Sequence, residues 1–196
     1  MIAALFLRLQ RAGVSVPEAA QASLATTLLT RESPGNAWAY YAHMRPGVAR
    51  DRLRDPQFAH PIAAPMPFDW MVADDNGLVG TIEGGAFNFT APSSVGGVML
   101  RQEEMLPPGP YLLTGHSTDL DQPESALPYW LLTCRGGQEV GRVTVPASKQ
   151  ANGRFAGVLR VPPSCSVQTL SLVARPSDTV GGLSGRIDWV KLDRPH

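Results

Sequence analysis

Charge is scarce in this 196-residue chain. Asp, Glu, Lys and Arg make up 17% of it, against about a quarter in an ordinary globular protein. The basic and acidic residues balance to a formal net charge of zero. That removes the electrostatic footprint of a nucleic-acid binder or of a protein held on an anionic membrane surface. Lysine is almost missing: Lys149 and Lys191 are the two lysines among 17 basic residues, an arginine bias of the kind a GC-rich bacterial genome imposes. No apolar run approaches the ~20 residues needed to cross a bilayer, so membrane insertion is not expected. Met1–Leu7 is hydrophobic but lacks a basic n-region and a small-residue cleavage site, so it reads as the first turns of an amphipathic helix and not as a secretory signal.

Several chemistries are missing too. The four histidines, at 43, 60, 116 and 196, are too scattered for a zinc signature. There is no glycine-rich phosphate loop. Gly182-Leu-Ser-Gly185 is not a nucleophile elbow and falls in a hairpin. Glu103 and Glu104 are adjacent, so on a strand they face opposite ways and make no carboxylate pair. No catalytic residue is assigned, and no enzymatic activity is expected. Aromatics are only 7%, which leaves few for a broad stacking platform.

Cysteine is limited to Cys134 and Cys165. A bridge between them would close a loop of about 30 residues, contribute about 3 kcal/mol, and imply an oxidising compartment such as the periplasm or envelope. The other reading is two buried thiols acting as small apolar residues. Strand parity opposes the bridge: Leu170 and Leu172 look inward, which puts Cys165 on the other face of a regular strand. Pro162-Pro163 lie just before Cys165 and let it precede the regular part.

What remains abundant is apolar residues (43%), Gly (19) and Pro (18), the makings of many short strands joined by turns. Tyr129-Trp-Leu-Leu-Thr-Cys134 is uncharged, large or β-branched throughout, and bounded by Pro128 and Arg135-Gly-Gly137. It reads as a central strand of a sandwich. From residue 68 the period is two, and ten strands are expected: 68–73, 78–83, 86–90, 97–106, 111–118, 128–135, 139–146, 154–161, 167–174 and 185–192. Asp75-Asn-Gly77, Gly84-Gly85, Pro107-Pro-Gly-Pro110, Gly136-Gly137, Ala151-Asn-Gly153 and Gly181-Gly182 supply turns between them. Ahead of them, residues 1–56 read as two to three helices. Gly13 stops the first, a Ser15-Val-Pro-Glu18 capping box opens the second, and Ser33-Pro34 opens the third. The third carries Trp38, Tyr41 and Met44 on one stripe. Arg45, Arg50, Arg52 and Arg54 give the next turn a basic surface, and a proline-rich linker over 56–67 follows. The expected organisation is a helical segment over 1–56 and a β-sandwich domain over 57–196. The helical stripe needs a partner, either the sandwich or further helices.

Pro108-Gly-Pro-Tyr-Leu-Leu113, Tyr129–Cys134, Phe155…Pro162, Val167–Leu170 and the closing Gly185-Arg-Ile-Asp-Trp-Val-Lys-Leu192 resemble jelly-roll domains of the carbohydrate-binding-module kind. The resemblance spans about residues 57–194. The helical head is similar to the end of a tetratricopeptide-like array. The fold implied is a mostly β, antiparallel jelly-roll-type β-sandwich with a small N-terminal helical segment. The function implied is a non-catalytic binding module for a glycan of the bacterial envelope or exopolysaccharide. The alternative is a structural or protein-interaction module, self-associating or meeting a protein partner through its helices. Candidate ligand contacts are Trp70, Trp130, Trp189 and Tyr111, each of which competes with a place in the core. Asp119 and Asp121 lie in an oxygen-rich loop, and Asp188 matches the acid of the closing strand. These three are candidates for a structural Ca²⁺, and Asp74-Asp75-Asn76 is a second oxygen-rich turn. No other cofactor is expected.

Overall fold

The computed structural model describes residues 8, 12–73, 77–177 and 181–195. The first expected helix up to residue 11, the Asp74-Asp75-Asn76 turn and His196 lie outside the described residues, apart from Arg8.

Helix α1 (Glu18–Thr27) starts at Pro17, whose carbonyl accepts from the Ala20 and Gln21 N–H groups. This corrects the capping-box expectation: no side chain caps the helix, and Ser15 precedes its start. A π turn over Leu28–Glu32 follows. Ser33 is extended, and Pro34 opens α2 (Pro34–Met44) as expected. Among the described residues, two short α-helices joined by one turn do not support a tetratricopeptide-like array.

Ten strands follow among the described residues: β1 (Met71–Val72), β2 (Val79–Glu83), β3 (Ala86–Ala91), β4 (Gly97–Glu104), β5 (Gly109–Thr118), β6 (Tyr129–Cys134), β7 (Glu139–Thr144), β8 (Arg154–Val161), β9 (Gln168–Ala174) and β10 (Leu183–Asp193). The first sheet has the order β1-β4-β9-β6-β7 and the second β2-β3-β10-β5-β8. Every pairing is antiparallel. The chain is a mostly β antiparallel sandwich.

Side-chain alternation fills the space between the sheets. Leu100, Trp130, Leu132, Leu170 and Leu172 face Phe87, Tyr111, Leu113, Ile187 and Val190 in one buried cluster. Gly115 is fixed by this packing: a Cβ there would lie 2.0 Å from the Phe155 ring of its cross-strand partner. Phe58, fully buried, holds a left-handed backbone (φ 52) with its ring against Trp70 and Phe87. β6 lies between β9 and β7. Its Trp130, Leu132 and Cys134 are buried, while Tyr129, Leu131 and Thr133 are half-buried on the outer face. Cys134 and Cys165 form a disulfide with Cα atoms 5.4 Å apart. The parity objection disappears because β9 begins at Gln168, so Cys165 sits in the preceding loop.

The helices rest on the sandwich. Leu24, Leu28, Leu29, Trp38, Tyr40 and Tyr41 share a cluster with Met66, Phe68 and Val167. The partner that the aromatic stripe requires is therefore in the same chain. Polar groups lock this seam. The Arg54 guanidinium donates to both Glu104 carboxylate oxygens at 2.6 and 2.8 Å and to the Phe68 carbonyl at 2.7 Å. It also donates to the Glu103 carbonyl. Its plane lies against Trp38 and Phe68. The Gln102 amide bonds the Arg54 backbone N–H and carbonyl at 2.9 and 3.2 Å. The Tyr41 hydroxyl donates to Asp69 at 2.8 Å. Arg54, expected on a basic surface, is instead buried with Glu104.

Candidate functional site

The structure places the sequence candidates in different surroundings. Trp130 is fully buried and Trp70 is 6% exposed, their rings 5.9 Å apart between the sheets. The Trp70 Nε1–H donates to the Asp55 carbonyl at 2.9 Å. Tyr111 is buried, its hydroxyl donating to the Pro107 carbonyl. These three side chains fill the interior, where an aromatic contributes most by removing its own apolar area from water. Trp70 also borders the cleft of about 520 Å³ beside β1 and β2. Trp38 is buried as well, so Trp189 alone of the four tryptophans is appreciably exposed.

Trp189 lies on the outer face of the second sheet, where alternation along β10 turns Ile187, Val190 and Leu192 inward. A register shift between Ile187 and Trp189 re-aims the strand, as a β-bulge does. Trp189 then pairs with His116 of β5, which pairs with Arg154 of β8. Lys191 stands over the Trp189 ring at 5.7 Å. Asp188, at the shift, is enclosed by partners. His116 Nδ1 lies 2.8 Å from Oδ2, while Arg186 Nε and the Thr118 hydroxyl donate to Oδ1 at 2.9 and 3.3 Å. Beside this network is a depression of about 300 Å³ lined by Val79, Thr81, Asn88, Thr90, Asp119, Ser184 and Arg186 among others.

The three candidate calcium ligands are distributed differently. Asp119 turns at φ 58 and borders this depression. Asp188 is committed to His116, Thr118 and Arg186. Asp121 points to Lys149, 3.1 Å away. No group of three or more acidic, His or Cys side chains poised for a metal occurs among the described residues.

Chemically the face offers one aromatic plate ringed by guanidinium, ammonium, carboxylate, amide and hydroxyl groups. Such a plate can stack on a flat apolar ligand surface while the groups at its rim exchange hydrogen bonds. It offers no activated nucleophile. The Thr118 hydroxyl is bonded to Asp188 itself, the Ser117 hydroxyl is buried against the Gly153 carbonyl, and both cysteines are in the disulfide. Two larger clefts flank the 54–70 segment: one of about 520 Å³ against β1 and β2, and one of about 910 Å³ against the helices. The buried polar groups that both share, Arg54 and Asp69, already hold the fold together.

The His116–Asp188 pair and the Arg54–Glu104 pair were not expected. Glu104 had a signal: Leu100, Gln102, Glu104 and Leu106 alternate toward the interior, and two polar side chains on an apolar row demand a buried partner. Nothing local marked His116 and Asp188 as neighbours, 72 residues apart.

No protein-family model matches the chain, and no curated protein matches it in sequence. Solved structures do resemble it in shape. A CBM4 carbohydrate-binding module superposes with a TM-score of 0.53 at 15% identity, over 72% of this chain and 98% of the module. An arabinose-bound α-L-arabinofuranosidase superposes with a TM-score of 0.50 at 12% identity, over 77% of this chain and 27% of the enzyme. A glycosylation-associated protein complex from Streptococcus agalactiae reaches a TM-score of 0.41 at 12% identity, over 63% of this chain and 43% of that one. At such identities the likeness is one of fold: this chain has the β-sandwich architecture found in carbohydrate-binding modules.

Proposed function

We propose that this domain is a non-catalytic glycan-binding module that lays a sugar chain across the outer face of its second sheet, with Trp189 as the stacking residue. The observation that carries the reading is selective exposure: Trp38, Trp70 and Trp130 are buried, and Trp189 is held at the surface among polar groups. Lys191 and Arg186 act as donors to sugar oxygens, and Asn88, Thr81 and Thr90 line the adjoining depression. The fold likeness to a CBM4 module supports the same reading. The ligand class is a glycan of the bacterial envelope or exopolysaccharide. The Cys134–Cys165 disulfide supports an oxidising location at the envelope or outside the cell.

The protein-interaction alternative loses its main motive, since the helical stripe is covered by Met66, Phe68 and Val167 of its own chain. A glycan array followed by titration calorimetry tests the proposal. Trp189→Ala is expected to weaken the best glycan by roughly tenfold or more, the scale of about 1.4 kcal/mol, with no release of reducing ends by the wild type. An array with no hits, or Trp189→Ala binding as the wild type does, overturns it.

A further inference from the structure

We infer that the outer face of the first sheet is a second binding surface, on the opposite side of the sandwich from Trp189, and that it takes an acidic polysaccharide. The inference does not rest on the Trp189 reading. The register places Arg101, Ser171, Leu131 and Arg142 in one row across β4, β9, β6 and β7. At about 4.8 Å per strand the two arginines stand roughly 14 Å apart along the row. The next row carries Tyr129. The guanidinium carbons of Arg142 and Arg175 lie 5.0 and 4.9 Å from the centre of its ring. Stacking on an aromatic holds a guanidinium in place, and Arg142 turns its fork to Glu139. At the other end of the face, Arg135 lines a depression of about 260 Å³ with Thr30, Thr133 and Thr169, where the π turn meets the sheet.

Four arginines thus meet two carboxylates, and those two are occupied. Glu139 is bound by Arg142 at 2.9 and 2.5 Å. Glu103 is half-buried and accepts from the Thr169 hydroxyl at 3.1 and 3.2 Å. Among the described residues neither Arg101 nor Arg175 has a carboxylate within ion-pair distance. On a chain whose net charge is zero, this is a local excess of positive charge among the described residues.

The spacing selects the ligand. A duplex carries one charge per about 1.7 Å, and proteins that bind it do so with many contiguous cations. Here the cations sit at separate corners with Thr133, Thr144 and Tyr129 between them. A sugar polymer with one carboxylate per residue and hydroxyls in between matches that layout. The Arg101 and Arg175 forks, which hold no ion pair among the described residues, can each take a carboxylate bidentately.

Affinity electrophoresis and calorimetry of the whole chain decide the matter, with polygalacturonate as acidic probe, hydroxyethylcellulose as neutral probe and a single-stranded polynucleotide as competing polyanion. The expected result is retention on polygalacturonate that weakens as salt rises and is lost with the neutral probe. Arg101→Gln with Arg175→Gln should reduce affinity by roughly tenfold, the scale of one charge-assisted hydrogen bond. Near-UV circular dichroism checks the fold. Should Arg175→Gln disturb it, Arg101→Gln alone, remote from the tyrosine stack, is expected to weaken binding several-fold. No retention of the wild type at low salt, arginine variants that bind as the wild type does, or loss on Trp189→Ala in their place overturns this surface. Tighter retention on the polynucleotide overturns the ligand class.

Discussion

The space between the two sheets and the seam under the helices are both buried, and different chemistry closes each. Between the sheets, Trp130, Leu132, Leu172, Phe87 and Ile187 meet through apolar contact alone, and the buried Trp130 Nε1 has no partner among the described residues. At the seam, Arg54, Glu104, Gln102, Tyr41 and Asp69 are tied atom to atom. Apolar burial is non-directional and scales with area, so it gathers the sheets without fixing how a helix sits on them. Hydrogen bonds are directional, and a buried carboxylate without its cation is severely penalised. The seam therefore sets the orientation of the helices, and the interior supplies most of the driving force.

Three experiments strain this contrast at different points. Arg54→Met strands Glu104 and is expected to lose about 3–5 kcal/mol in urea unfolding, whereas Arg54→Met with Glu104→Leu recovers most of it. Single and double variants of equal stability would mean that the seam behaves like the interior. Replacing both cysteines by alanine frees the loop between β6 and β9. The 31-residue separation predicts a loss of about 3 kcal/mol, seen as a lower urea midpoint. Because Val167, two residues past Cys165, belongs to the helix-side cluster, sandwich and helices should still unfold together. A helical signal that melts first would separate them.

The smallest effect is on pH. Burial pushes the Glu104 carboxyl up from the ordinary 4.5 to about 7, against the pull of Arg54. A raised acid binds its proton more tightly folded than unfolded. Its contribution is complete below about pH 4.5 and is lost as pH rises through 7. Stability should fall across that window by at most about 1.4 kcal/mol per pH unit, and Glu104→Gln should flatten the slope. A slope unchanged by the substitution would place the titration elsewhere.

Much of the fold was legible. The strands show period two, and their limits are set by turn residues such as Gly136-Gly137, so all ten appear near their expected positions. The first is the most shortened, from 68–73 to Met71–Val72, because Asp69 turns back to accept the Met66 N–H and its N–H donates to the Met66 carbonyl. The candidate site was legible only in its least local feature, a tryptophan on the closing strand. Trp70, Trp130, Trp189 and Tyr111 look alike as letters. What separates them is the face each strand turns inward, and for Trp189 that depends on a register shift that no residue announces. The seam was hidden for a related reason. Arg54 and Glu104 meet across 50 residues, and a basic run near a linker ordinarily lies in water.

The scarcity of lysine now has a practical use. Lys191 stands over the Trp189 ring, and the other lysine, Lys149, pairs with Asp121 in an exposed loop. A reagent that acylates side-chain amines therefore has only two targets on this molecule. One of them is seated on the proposed sugar platform, and the other serves as an internal reference, so the native chain carries its own footprinting probe for that face.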